Sequence, residues 1–303
     1  MIFAFLTAIL WAFAGFGSSR IARHFGSAQA NALRLVLASL ILTGIAASLG
    51  VLRLPPGAVL FALSGFLHLA LGDIALFAVY RRLGPRIGVL AVSSLAPPTA
   101  MAVEWLLLGT AIELRDLAIG AAVLLCVVLA VASKERQHLT PAELRTGILA
   151  ALLATLGQGC SAAVSRLGFA QAADAGVRLG PWMPTLLRCA TGAACVLLWL
   201  GFRHLRGSKI HHRPADLIPH RRIQGHPLGW LALSTLLGPV AGVLTLMVAL
   251  ESNPAALVQA VLATLPVMML PVAWFFDGNA PSKRSILFGI LAVALAIALV
   301  IRF

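Results

Sequence analysis

Apolar runs of 17 to 23 residues recur along almost the whole chain, separated mostly by short polar gaps. Ten are read, at 2–18, 32–52, 57–79, 87–108, 117–133, 146–165, 182–203, 228–250, 255–276 and 284–302. A helix needs about 20 such residues to cross roughly 30 Å of hydrocarbon. Inside lipid the backbone must satisfy its own hydrogen bonds, so a run of this kind folds as a helix. Only 11% of residues are Asp, Glu, Lys or Arg, against roughly 25% in a soluble domain. So few charges cannot clothe a water-soluble surface, whereas lipid removes the need. The expected fold is therefore an all-α integral membrane protein of ten transmembrane helices. Residues 1–17 read as the first of these helices rather than as a cleaved leader, because no basic segment precedes the apolar one.

The chain resembles itself. Residues 85–131, moved forward by 169, fall on 254–300 with 12 of 47 positions identical. The rarer residues weigh most: Pro85 and Pro254, Pro97 and Pro266, Trp105 and Trp274, Gly109 and Gly278, Gly120 and Gly289. The earlier spans match less well, with Ser19-Arg20 set against Ser165-Arg166 and Arg34 against Arg188. Each copy carries five spans, and five is odd, so the second copy must enter the membrane from the opposite face. Two inverted five-helix repeats follow, at 1–134 and 146–303, joined by a linker at 135–145. That architecture places a solute site between the repeats near the membrane midplane.

Segments of both copies resemble the drug/metabolite transporter superfamily, and within it the EamA-type ten-helix permeases. They include FLTAILWAFAGFGSSRIA (5–22), YRRLGPRIGVLAVSSLAPPTAMAVEWLLLG (80–109) and ALESNPAALVQAVLATLPVMMLPVAWFFDG (249–278). The resemblance implies a secondary transporter, an exporter or exchanger of a small metabolite or amino-acid-like solute across the inner (cytoplasmic) membrane. The alternatives are a lipid-carrier flippase of the same superfamily and an intramembrane enzyme. One departure is visible: Thr110 follows Gly109 where family members often carry Glu, and Glu104 lies deeper.

Ionisable residues within apolar runs are the first candidates for chemistry. An unpaired charge in hydrocarbon is costly and persists beside a partner or a cavity. His68 and Asp73 in the third run, Glu104 in the fourth, and Arg34 and Arg188 near the starts of the second and seventh are expected on a substrate or proton pathway. Trp11, deep in the first run, and Gln158 and Gln259, polar within the sixth and ninth, join them. Histidine titrates near neutral pH and suits proton coupling. Pro97, Pro98, Pro266 and Pro271 lie within the fourth and ninth runs. A proline there removes a backbone hydrogen bond, so kinks at matched depths are expected to mark the central site. Pro85 and Pro254 are placed in first turns, where no bond is lost.

Leu71-Gly72-Asp73 lacks the Tyr-Asp partner of an intramembrane aspartyl protease, and no Gly-x-x-x-x-Gly-Lys-Ser/Thr run is present. No catalytic residue, cofactor or metal site is expected; Cys126, Cys160, Cys189 and Cys195 sit in apolar runs without metal spacing. The net charge of +13 lies largely in the gaps, where the positive-inside rule places it without a nucleic-acid partner. The expected partners are a small-molecule substrate, membrane lipid, and a proton or counter-substrate. With Arg34 and Arg188 set aside, one side of the membrane holds 16 Lys and Arg and the other, which carries both termini, holds 5. The charge bias puts the first side, with the basic loop 203–227, in the cytoplasm and both termini outside. The family resemblance implies termini inside, and the charge count is preferred because nearly all the loops are short.

Overall fold

The computed structural model of the chain describes residues 1–110, 113–131, 141–206, 226–278 and 282–302. Most of the basic loop, its histidines 211 and 212 included, and most of the linker lie outside these residues. Among the described residues every regular element is helical and no strand occurs. In chain order the helices are α1 (Ile2–Phe25), α2 (Ser27–Ser48), α3 (Ala58–Gly65), α4 (Asp73–Leu108), α5 (Leu114–Val131), α6 (Pro141–Asp174), α7 (Trp182–Leu205), α8 (Pro227–Thr235), α9 (Ala241–Ser252), α10 (Ala255–Leu262), α11 (Leu265–Asp277) and α12 (Lys283–Arg302). A π-helical turn at Phe66–Gly72 joins α3 to α4, and another at Leu236–Val240 joins α8 to α9. Seven of the helical stretches are long and apolar enough to cross a membrane, and Leu95–Leu108 and Leu117–Leu129 are shorter apolar helices. Leu106, Leu198, Phe275 and Leu287 stand exposed on the outer surface, which lipid tolerates and water does not.

Two junctions differ from the sequence expectation. The first gap is a single residue: α1 ends at Phe25, α2 starts at Ser27, and Gly26 turns the chain at φ 87°, a value glycine adopts without Cβ strain. At the second, helix continues through residues 80–86, where a break was expected, so Pro85 lies inside α4 instead of in a first turn. The chain still reverses there. Ala75 and Val92 pack in one buried cluster with Ala154, whereas a straight helix would hold them roughly 25 Å apart. Pro85 removes one bond of the backbone ladder in this stretch, so the helix is weakest where the chain turns. Pro254 precedes α10 as its N-cap, close to the expected place.

Helix contacts follow a reciprocal pattern. Helix α1 packs on α8, α9, α10 and α11, while α6 packs on α3, the first π turn and α4. Helices α2 and α7 pair, as do α5 and α12. Small residues permit the closest approaches. A methyl group on Gly65 would overlap the Arg188 backbone, so α3 and α7 touch through this glycine. The contact sets the height of Arg188 against Ser64 and His68.

Candidate functional site

Two π turns frame the centre of the bundle. A π turn loosens the backbone ladder by one residue and recurs at functional sites. In the second, Pro239 lacks the N–H that an α-helix would need. In the first, Asn31 Nδ2 on α2 donates to the Leu69 carbonyl at 2.7 Å, satisfying one carbonyl of that turn. His68 and Leu69 from one turn and Gly238 and Pro239 from the other line a common recess. Its wall also includes Trp11, Ser18, Arg34, Asp73, Tyr80 and Gln158. The cavity volume is about 60 Å³, room for roughly four to six waters.

A row of buried polar side chains runs beside the recess. The Arg34 guanidinium pairs with the Asp73 carboxylate through a short contact. Arg34 also donates to Asn31 Oδ1 at 3.1 Å and to Ser18 Oγ at 3.4 Å, and Ser18 bonds Ser234 on α8 at 2.7 Å. The guanidinium carbon lies 4.8 Å from the Phe77 ring centroid, a cation–π contact. Asp73 Oδ1 faces His68 Nε2 at 4.0 Å. On the far side of His68, Nδ1 stands 3.1 Å from Arg188 Nη2. Arginine only donates, so His68 Nδ1 must accept, and the imidazole is neutral with its proton on Nε2. Arg188 is completely buried and also donates to Ser64 Oγ at 2.8 Å and to Ser165 Oγ. The two arginines thus make matching contacts: Arg34 with a serine of α1 linked to one on α8, Arg188 with serines of α6 and α3.

Trp11 meets His68 edge-on at 5.5 Å between centroids. Its indole fills the space over Gly242, where any Cβ would collide with the ring. Gln158 Nε2 donates to Gln259 Oε1 at 2.9 Å, so one glutamine lines the recess and the other supports it from α10.

The structure therefore gathers Trp11, Arg34, His68, Asp73 and Gln158 at one recess, with Arg188 and Gln259 one side chain behind. It places the remaining candidates elsewhere. Glu104 stands near the end of α4, 3.6 Å from Arg166 Nε and accepting from the Ala256 N–H at 3.3 Å. Arg166 in turn donates to the carbonyls of Leu250 and Glu251 at 3.0 and 2.7 Å. This pair ties α4 and α6 to the junction of α9 and α10, away from the recess. The four prolines do not line the polar recess either. Pro97 and Pro98 face an apolar pocket with Met101, Gly120 and Leu257. Pro266 opens α11 after the break at Ala263–Thr264, and Pro271 lies exposed within α11. The physical reason is that a proline bends a helix wherever neighbours accept the freed carbonyl; the bend need not face the ligand. Sequence reasoning missed Tyr80, Ser18 and Pro239. Tyr80 carried one signal, being the single tyrosine of the chain.

A polytopic helical membrane protein whose buried ionised residues converge on an internal recess has the layout of a solute carrier. The comparisons agree. The model of the EamA-like transporter family matches residues 1–132 and again residues 145–302, and the chain belongs to that family. A crystal structure of a protein 16% identical to this one superposes with a TM-score of 0.71, covering 99% of this chain and 97% of that one. At that identity the likeness shows the fold alone. No curated protein matches the sequence.

Proposed function

We propose that this protein is a secondary transporter that carries a small metabolite through the central recess by alternating access, driven by a proton or counter-substrate gradient. The observation that carries this reading is the Arg34–Asp73–His68–Arg188 chain held beside an internal cavity. A buried ion pair such as Arg34–Asp73, with a second buried cation beside it, is expensive in lipid, and such residues mark solute and proton pathways. The two halves, 1–134 and 146–303, form inverted five-span repeats with the recess between them. The reciprocal packing of α1 and α6 supports this. So do the near-matched π turns and the identical endings of the repeat's fourth spans. Gly109 and Gly278 both cap with left-handed backbone, at φ 65° and 70°, and each donates at 2.9 Å to the tryptophan four residues earlier. The double match to one family model points the same way.

In proteoliposomes loaded with candidate metabolites, the wild-type protein is expected to give saturable, gradient-sensitive flux, and His68→Ala to lower it by an order of magnitude or more. Flux that does not saturate, or equal flux in that variant, rejects the reading. A flippase needs a lateral opening that merges with the polar cavity. The lateral groove between the first π turn, α4, α6 and α7, about 420 Å³, is lined by Phe66, Ile74, Leu153 and Trp199 and shares no lining residue with the recess. The separation favours a water-soluble solute.

Charge bias orients the chain in this reading. Arg20 packs on the rings of Phe16 and Trp230, and Arg166 is bonded inside the bundle. Setting both aside leaves 15 basic residues against 4, so the termini are placed outside and loop 203–227 in the cytoplasm. A reporter fused after Phe303 that is active only outside the cytoplasm is the expected result; cytoplasmic activity reverses the assignment.

A further inference from the structure

We propose that the recess selects a small organic monoanion, of which a short carboxylate is the simplest case, and that Arg188 supplies the selecting charge. This rests on the transport reading and names its substrate class.

The inference comes from charge at the centre of the bundle. Two guanidiniums, Arg34 and Arg188, are buried there, and a guanidinium keeps its proton in proteins. Among the described residues the polar chain that joins them contains one acid, Asp73, committed to Arg34. His68, accepting from Arg188, adds no negative charge. Ser64 and Ser165, the other acceptors around Arg188, are neutral. Two positive charges therefore face one negative charge. Glu104 does not redress this, because it stands with Arg166 at the α9–α10 junction. An uncompensated charge in a low-dielectric interior is costly, and a bound anion removes that cost. Capacity remains for it at Arg34, which lines the recess and whose Nε is buried without a hydrogen-bond partner.

The walls describe the rest of the ligand. Leu76, Phe77, Val92, Val243 and Leu265 add apolar wall to the recess, with the Phe77 ring against the Arg34 guanidinium. A carboxylate set toward Arg34, with its hydrocarbon against these residues, meets both. A cation meets net repulsion. Inorganic anions gain the charge term and forgo the apolar contact. The cavity, about 60 Å³, has room for roughly four to six waters, which restricts the ligand to a small one such as lactate or butyrate.

The test uses the full chain with two readouts. In detergent, melting temperature is measured with butyrate and propanesulfonate, with butyramide and butylamine, and with chloride. In proteoliposomes, flux is measured for lactate, propanesulfonate, choline and erythritol. The organic anions are expected to raise the melting temperature by about 3 °C or more while the amide, the amine and chloride do not, and saturable flux is confined to the anions. Stabilisation by the amine or amide instead, or an equal response to chloride, overturns the organic-anion assignment. Saturable flux of choline or erythritol without anion flux overturns it too and leaves transport standing. Anion stabilisation without flux of any solute keeps the binding assignment and removes the transport reading. Ser165→Asp, which sets a carboxylate against Arg188, is expected to abolish the anion-dependent shift, with Ser64→Asp as the second variant. A shift that survives in either folded variant rejects the role of Arg188.

Discussion

Replacing Asp73 by Asn is expected to abolish flux and to cost the fold about 3–5 kcal/mol, the range seen when one partner of a buried ion pair is removed. The reason is that Arg34 and Arg188 then share one buried polar chain with no acid in it. The double variant Arg34→Met, Asp73→Asn behaves differently. Removing both charges takes away the desolvation cost along with the attraction, and replacing a buried pair by apolar groups is often neutral. The methionine also takes the guanidinium's place on the Phe77 ring, a contact thioethers make well. Melting in detergent is therefore expected to return to within about 2 kcal/mol of wild type, while flux stays at least 100-fold down. A double variant that also recovers flux shows the pair to be structural and removes it from the pathway. A double variant as unstable as Asp73→Asn shows that the pair is not an isolated energetic unit.

Arg166→Met is expected to give the second large effect, at the end of the bundle where α9 meets α10. It strips the partner from Glu104 and uncaps two carbonyls at the end of α9. The carboxylate keeps the Ala256 N–H, yet a buried charge without its cation again costs about 3–5 kcal/mol. The energy is released by parting α4 and α6 from the α9–α10 junction, so opening on that side is the expected response. A cysteine placed at Ala256, buried in the wild-type packing, is expected to react at least 10-fold faster with an impermeant maleimide in Arg166→Met. The background for this measurement has the four native cysteines replaced by alanine. Unchanged reactivity with lowered stability makes the pair a structural tie and not a gate.

Glu104 illustrates how far a sequence reaches. Its place inside an apolar run marks it as an expensive residue that needs a partner. Arg166 lies 62 positions away in a run of its own, and no local feature links the two. His68 and Arg188 stand 120 positions apart and pose the same problem. Both were recognisable as candidates, and neither as members of one hydrogen-bonded chain. The π turns were hidden as well. Pro239 hinted at the second, while the first contains no proline and depends on a side chain from α2 to complete its backbone bonding.

The sequence by itself determined the membrane class, the helical character of the apolar runs, the likeness of residues 85–131 to 254–300 and the short roster of buried ionisable residues. Each is a matter of local hydropathy or of self-comparison, because apolar length and a charge out of place are read residue by residue. Tertiary structure alone decided which of those residues meet, where the prolines bend away from the site, and that one end is tied by Glu104 and Arg166. In a soluble helix a polar stripe separates outside from inside. In these helices lipid-facing and core-facing sides are both apolar, so the sequence carries little record of which face turns inward. Packing contacts such as Gly65 against Arg188 settle that rotation, and with it the chemistry of the recess.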